Sequence, residues 1–266
     1  MNAMQQPFVA LAPEASAPRT ERRSRYFHGI AILLLAITLL GFSRTLFLRP
    51  LFQVPALPWY VYVHGSVMTL WFVLLVTQTS LIAAHRTALH RRLGVFGAGV
   101  AVAVALLGII VTLRFPIDYR AMAGVLTTGL PGSESAAVGF LWADLGAVAL
   151  FSTLVAVGVR ARRRPDIHKR LLLLASMAMI SPAAGRITNI PVLLGAAPSA
   201  PINTWALVLI IVLLLGLPLS LVLHDLLCTR RVHRATLWGV AALLGVNLGT
   251  NVVVGTAVGR ALWNAL

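Results

Sequence analysis

The chain is poor in acidic residues, lysine and cysteine. Only 7 of its 266 residues are Asp or Glu, Lys169 is the single lysine, and Cys228 is the single cysteine. One cysteine allows no disulfide within the chain and no cluster of thiolate metal ligands. The charged share of 11%, beside a hydrophobic share of 59%, is too low for a soluble globular domain. We therefore expect the chain to lie in a membrane.

The sequence also lacks the motifs of the common soluble enzyme classes. It contains no GxSxG elbow, Walker loop, dinucleotide fingerprint or paired-carboxylate hydrolase site, and no HxxxH or HExxH metal motif. Its length holds about seven membrane spans of roughly 20 residues with short loops, and leaves no room for a separate soluble catalytic domain. Any functional site must then be built between helices, without a predicted metal.

Long hydrophobic runs between basic or proline-rich connections predict an all-helical bundle of seven transmembrane spans. The predicted spans cover residues 29–48, 59–84, 93–113, 136–159, 167–187, 203–223 and 235–258. Ser181 and Pro182 predict a kink in the fifth span, and residues 114–135 are expected to form the longest loop. Residues 1–27 are expected to be a disordered basic tail, followed by the transmembrane domain at 28–266.

Positive charge is distributed unevenly between the ends of these spans. Of the 22 Lys and Arg residues, 16 fall in the tail and in alternate loops, which predicts that the N-terminus is inside and the C-terminus outside. The net charge of +15 therefore reflects topology and contact with anionic lipids at the inner face, and no nucleic-acid partner is expected. The bias toward arginine is typical of a bacterial genome rich in G and C, so we expect a bacterial inner membrane.

Histidines are concentrated at the predicted inner ends of the spans. His90, His168 and His224 are among them, and two such side chains on neighbouring helices could ligate haem b or a metal. The alternative is that these histidines are interfacial anchors, with polar tips that meet the lipid headgroups. The sequence leaves both interpretations open.

A second group of polar residues lies in the predicted outer half, deeper than anchoring requires. Its members are His64, Asp144, Arg186, Arg44 and Asn251. A charge at the centre of a membrane helix costs about 2.5 to 3.5 kcal/mol, so these charges should face one another or a wet cavity. Pairing Asp144 with Arg186 would leave surplus donors for a small anionic or carbonyl-bearing ligand. The alternative is a structural ion pair, with Arg44 reaching the outer headgroups.

One face of the second span carries His64, Met68, Trp71, Leu75 and Gln78 at helical spacing. A stripe that runs from a histidine to a glutamine could line a path across the membrane. It could equally be a packing face, with the glutamine hydrogen-bonded to a neighbouring helix. Packing is the interpretation that we favour.

Several short motifs together resemble a family of bacterial multi-pass membrane proteins that has no assigned activity. They are His64-Gly65 with Trp71 and Gln78, the HRRLG segment at 90–94, and the HKRL segment at 168–171 with the LLA at 173–175. The resemblance implies a membrane helical fold and location alone. A more distant likeness is to b-type cytochrome membrane proteins, which implies haem held by histidine pairs on adjacent helices.

These observations predict an integral inner-membrane protein that binds a small ligand in its outer half. They assign no reaction to the site. Three alternatives remain at this point: a redox protein linked to haem b or quinone, a transporter, and a structural or assembly protein without a ligand.

Overall fold

The structure is a computed structural model, which describes residues 17–52, 56–121, 134–188, 190 and 200–266. Every secondary-structure element in these ranges is a helix. Six helices are long and apolar enough to cross a membrane, and one bent pair makes a seventh crossing if it counts as a single span. The chain is therefore a helical membrane protein, as the hydrophobic runs predicted.

The helices alternate with short turns. They are α1 (Ala17–Phe42), α2 (Trp59–Ala83), α3 (Thr87–Ala121), α4 (Glu134–Arg160), α5 (Pro165–Ala178), α6 (Ser181–Thr188), α7 (Ala200–Ile211), α8 (Leu217–Thr229), α9 (Arg234–Val254) and α10 (Ala257–Ala265). A π-helical turn, Val212–Gly216, joins α7 to α8 within one continuous crossing. Pro218 follows this turn and has no N–H for a regular helical bond, which accounts for the irregularity.

Three predicted boundaries differ from the structure. Helix α1 begins at Ala17, ahead of the expected end of the tail at residue 27, and residues 1–16 lie outside the described part. Helix α3 continues through Pro116 to Ala121, so the first part of the loop expected at 114–135 is helical, while 122–133 are not described. Proline is tolerated in membrane helices because neighbouring groups satisfy the freed carbonyl. The last span ends at Val254, and α10 is a separate helix.

The predicted kink of the fifth span is confirmed. Helices α5 and α6 meet at an angle of 46° across Met179 and Ile180, immediately before Ser181 and Pro182. Pro182 cannot donate a backbone hydrogen bond to Ala178, which interrupts the helical ladder at this point. The bend redirects α6 relative to α5 by this angle.

The first six helices form a ring. Each of α1 to α4 packs against the next helix, α5 continues into α6 across the bend, and α6 returns to pack against α1. Helix α9 lies outside this ring against α4 and α5, while α8 packs on α9 and α5, and α7 on α6. We call the end that carries the arginine-rich turns 84–86, 161–164 and 230–233 the basic end, and the opposite end the distal end.

A glycine closes the ring between α1 and α6. A Cβ added to Gly41 would lie 2.5 Å from the backbone oxygen and 2.7 Å from the Cα of Ala183. Backbone atoms cannot yield as a flexible side chain can, so only glycine permits this approach. The small residues Gly41 and Ala183 therefore set the distance between the two helices.

An ion pair at the basic end joins three helices. Arg170 of α5 donates from Nη2 to Asp225 of α8 at 2.5 Å, and both side chains are buried. The same carboxylate accepts from Thr236 Oγ1 at 2.6 Å and from the backbone N–H of His233 at 3.1 Å, which ties the start of α9 to the pair. Burial, together with the charge of Arg170, lowers the pKa of His233. The neutral ring can then accept from the Ala235 N–H and cap α9.

Replacing Gly41 with alanine is expected to destabilise the protein by about 1 to 3 kcal/mol, because the new methyl group overpacks the α1–α6 contact. The measurement is the free energy of unfolding of the purified protein in mixed detergent micelles. Gly29→Ala is the matched control on the same helix, since a Cβ there meets nothing within 4 Å. Equal stability of the two variants would contradict the close approach.

Replacing Asp225 with alanine is expected to cost about 3 to 5 kcal/mol of unfolding free energy, because it leaves the Arg170 charge buried without its partner. Asp166→Ala is the control: Asp166 contacts Lys169 and Arg170, but its side chain is 61% exposed. An exposed pair contributes less than about 1 kcal/mol. If both variants unfold alike, the Arg170–Asp225 pair does not hold the three helices together.

Candidate functional site

A partly open cavity of about 220 Å³ lies between the helices of the ring in its distal half. Along α2 its wall runs from Val61 to Phe72, which corresponds to roughly 16 Å of helix. The other walls come from α1, α3, α4, Met179 and α6. Most lining residues are apolar, and a few polar side chains project among them, as in ligand pockets of known proteins.

Three of these polar residues come from different helices. They are His64 of α2, Asp144 of α4 and Arg186 of α6, and each is partly exposed to the cavity. A buried cluster of Arg, Asp and His therefore exists in the half of the bundle where the sequence placed it. These three residues are far apart in the sequence. They line the same cavity because α6 packs against α1 and completes the ring.

Arg186 is held by its own helix and by α1. Its Nη1 donates to the carbonyl of Pro182 at 2.9 Å, and its guanidinium carbon lies 4.6 Å from the ring centre of Phe42. The α5–α6 bend and the close approach at Gly41 bring these groups together. Nε is enclosed without a partner among the described residues, whereas Nη2 remains open to the cavity.

The carboxylate of Asp144 is not in direct contact with a cation. Within the part of the chain that the structure describes, it accepts no hydrogen bond and lies beyond the 4.0 Å limit of an ion pair with Arg186. The direct pairing that the sequence suggested is thus replaced by two charges that share one cavity, because Pro182 and Phe42 fix the guanidinium elsewhere.

His64 presents one of its two ring nitrogens. Nδ1 is enclosed and has no hydrogen-bond partner among the described residues, while Nε2 remains open to the cavity. The tautomer with its hydrogen on Nε2 places only a lone pair in the enclosed position, so Nε2 becomes a donor. His64 and Arg186 then both offer donors to the cavity, and Asp144 offers acceptors.

Two residues of the expected outer group lie elsewhere. The guanidinium of Arg44 lies 5.1 Å from the ring of Phe52, and Arg44 does not belong to the cavity wall. Asn251 is exposed on α9 and donates to the carbonyl of Asn247 at 2.7 Å, away from the cavity. The structure therefore brings together three of the five residues.

The sequence analysis missed polar residues at the distal end of the cavity. Asp118 lines the wall and accepts a hydrogen bond from the hydroxyl of Tyr60, and Arg114 lies over the Tyr60 ring at 5.7 Å. Asp118 was assigned to a loop because Pro116 suggested the end of α3. The spacing of four residues between Arg114 and Asp118 was the signal that a continued helix would place both on one face.

Helix α10 covers the aromatic wall of the cavity. Trp263 is buried against Phe115 and Tyr119, which line the cavity, and its Nε1 donates to Glu134 at 2.9 Å. Arg120 donates to the Trp263 carbonyl at 2.5 Å. The last helix thereby fastens the distal ends of α3 and α4, so the wall depends on the C-terminal segment.

The three inner histidines lie at the basic end, and two of them face each other. The ring centres of His90 and His168 are 6.4 Å apart, and their planes are nearly perpendicular. His168 donates from Nδ1 to the carbonyl of Gly158 at 2.8 Å, which leaves a lone pair on its Nε2. His224 belongs to another cluster, where it stacks on Tyr26 at 4.1 Å.

The hydrogen bonds of His90 do not favour the role of a second haem ligand. The amide orientation that satisfies Gln78 has its oxygen accepting from the Gly94 N–H at 3.0 Å and its nitrogen donating to the His90 carbonyl and Nδ1. His90 Nδ1 is then an acceptor, and the proton lies on Nε2, the nitrogen that iron would need. Gln78 thus hydrogen-bonds the neighbouring helix, as in the packing role that we favoured for its stripe, and this tautomer of His90 does not favour iron binding by the His90–His168 pair.

The fold and the site define a class, a polytopic helical membrane protein with a buried Arg/Asp/His cluster in one half of its bundle. No protein-family model matches the chain, and no curated protein or solved structure matches it either. The inference of function therefore depends on the site alone.

Protein purified from cells with adequate haem supply is expected to show no Soret band, either oxidised or reduced with dithionite, because His90 lacks a free Nε2 lone pair. Absorption spectra of the wild type and of His168→Ala test this. His85→Ala, at an exposed histidine of the same end, is the control. Sharp α and β bands that appear on reduction and disappear only in His168→Ala would contradict it.

Proposed function

We propose that this protein binds a small anionic or carbonyl-bearing ligand in the distal cavity through His64, Asp144 and Arg186. The observation that carries the proposal is that all three side chains keep polar atoms open to a largely apolar cavity. Such convergence of a few polar groups is typical of small-molecule sites. Quinone headgroups belong to the carbonyl-bearing class, so a quinone-linked activity is a special case.

The same molecule contains a structural ion pair for comparison. Arg170 and Asp225 are in direct contact, and neighbouring donors complete the coordination of the carboxylate. Asp144 and Arg186 carry the same two charges at a depth where each costs about 2.5 to 3.5 kcal/mol, yet they remain apart. A pair kept only to fix helix register would be expected to close as the first one does. This contrast supports a ligand site over the structural alternative.

The basic turns support a location and an orientation. We propose that the protein lies in a bacterial inner membrane with its N-terminus and basic end inside, where the arginines contact anionic lipids. The distal end, with the cavity, then faces outward. Membership of the bacterial family that the HRRLG and HKRL segments resemble stays a prediction.

The proposal is tested by filling the cavity. Ala147 lines the cavity, and Ala149 is exposed on the same helix, so Ala147→Leu and Ala149→Leu add the same side chain to different surfaces. Benzoate, benzamide and acetophenone are the probes, measured by ligand-detected NMR on protein in nanodiscs against empty nanodiscs. We expect at least one probe to bind the wild type saturably and Ala149→Leu equally, and to bind Ala147→Leu at least about tenfold more weakly.

His64→Ala is a second variant, and it does not require the fold to accommodate a larger side chain as Ala147→Leu does. It removes a donor from the cavity and is expected to weaken the same probe. If none of the three probes binds, or if folded Ala147→Leu and His64→Ala bind as the wild type does, the cavity is not the proposed site.

A further inference from the structure

The charges in the cavity wall do not favour a simple anion. Arg186 is the one cation among the described lining residues, and the wall also contains Asp144 and, at its distal end, Asp118. Arg44, which the sequence suggested as a surplus cation, does not line the cavity. A bound anion would meet one arginine and at least one carboxylate with both oxygens open, so attraction and repulsion oppose each other.

The hydrogen-bonding groups of the wall are of both kinds. Arg186 Nη2 is a donor, and His64 Nε2 is a donor in the tautomer that leaves no hydrogen on the enclosed Nδ1. Asp144 presents two acceptor oxygens that no described residue occupies. A ligand that satisfies all three must accept hydrogen bonds at one atom and donate at another.

Common oxygen-containing groups differ in how well they meet this requirement. A ketone or a carboxylate anion only accepts, so either would leave Asp144 desolvated and without a partner. A primary amide and an undissociated carboxylic acid carry a carbonyl acceptor and a donor on the same carbon. Both are also uncharged, which suits a wall that carries one arginine beside the carboxyl groups of Asp144 and Asp118.

We propose, on the basis of the function proposed above, that the cavity selects an uncharged ligand with an adjacent carbonyl acceptor and hydrogen-bond donor, of the primary amide or undissociated acid type. The carbonyl accepts from His64 and Arg186, and the donor bonds to Asp144. The remainder of the ligand is apolar, because most of the other lining residues are apolar, among them the aromatic and methionine side chains of Phe42, Phe72, Phe115, Phe140, Met68 and Met179.

The size of the cavity admits an aromatic ring. A dry cavity of about 150 Å³ in another protein holds benzene, and the distal cavity measures about 220 Å³. Benzamide, benzoate and acetophenone share the ring and the carbonyl carbon, and they differ only in the group beside the carbonyl. At nearly constant shape, the series compares an uncharged group with a donor (benzamide), an anion (benzoate) and an uncharged group without a donor (acetophenone).

The experiment measures the dissociation constants of these three compounds for the wild type, Asp144→Asn and Asp166→Asn in nanodiscs. For the wild type, benzamide is expected to bind roughly tenfold or more tightly than benzoate and acetophenone. Asp144→Asn removes the repelling charge, so benzoate is expected to gain about tenfold and the preference for benzamide to shrink accordingly. Asp166→Asn makes the same change at the basic end, outside the cavity, and should bind as the wild type does.

The outcomes distinguish this inference from the function on which it depends. If benzoate binds the wild type most tightly, or if Asp144→Asn leaves the order of the three probes unchanged, the selectivity is wrong while the cavity remains a ligand site. If acetophenone equals benzamide, Asp144 does not accept from the ligand. If no probe binds the wild type, both proposals fail.

Discussion

A charge inside a membrane must find a partner or remain in contact with water, and this constraint governs both polar clusters of the protein. At the basic end the constraint is met by contact: the buried carboxylate of Asp225 is surrounded by Arg170, Thr236 and a backbone N–H. In the distal half Asp144 and Arg186 line a cavity and do not contact each other, so the cavity takes the place of a direct partner. The two solutions differ in what they leave available, because the coordination of Asp225 is complete, whereas the polar groups of Asp144 and Arg186 remain apart.

The shape of the cavity depends on residues outside it that set the spacing and direction of the surrounding helices. Gly41 lets α6 approach α1, and the bend before Pro182 turns α6, which places Arg186 over Phe42. On the opposite side, Trp263 of α10 supports the aromatic wall from behind. The position of each polar group is therefore decided by backbone packing some distance from it, and side chains in the cavity need not contact one another.

The sequence was sufficient for features that depend on hydrophobicity and depth alone. Lipid requires long apolar helices, so the spans were evident, and the depth of His64, Asp144 and Arg186 showed that they had to share a polar environment. The rotation of a helix about its axis was not evident, which is why Arg44 and Asn251 were grouped with residues that they do not join. The Arg170–Asp225 pair was missed because both residues look like interfacial charges until α5 and α8 are known to be neighbours.

The packing below the cavity bears on the choice between a binding pocket and a transport path. The cavity ends at the level of Phe72. At the same level Trp71, which is not among the lining residues, packs edge-on against Phe151 with ring centres 5.1 Å apart, and its Nε1 donates to Ser176 at 3.1 Å. Passage of a polar ligand toward the basic end would require the indole to leave this site and give up a buried hydrogen bond, at a cost of roughly 1 to 3 kcal/mol before any helix moves. Trp71 thus fills the bundle interior at the limit of the cavity nearest the basic end, and a pocket reached from the distal end is the arrangement that requires no such rearrangement.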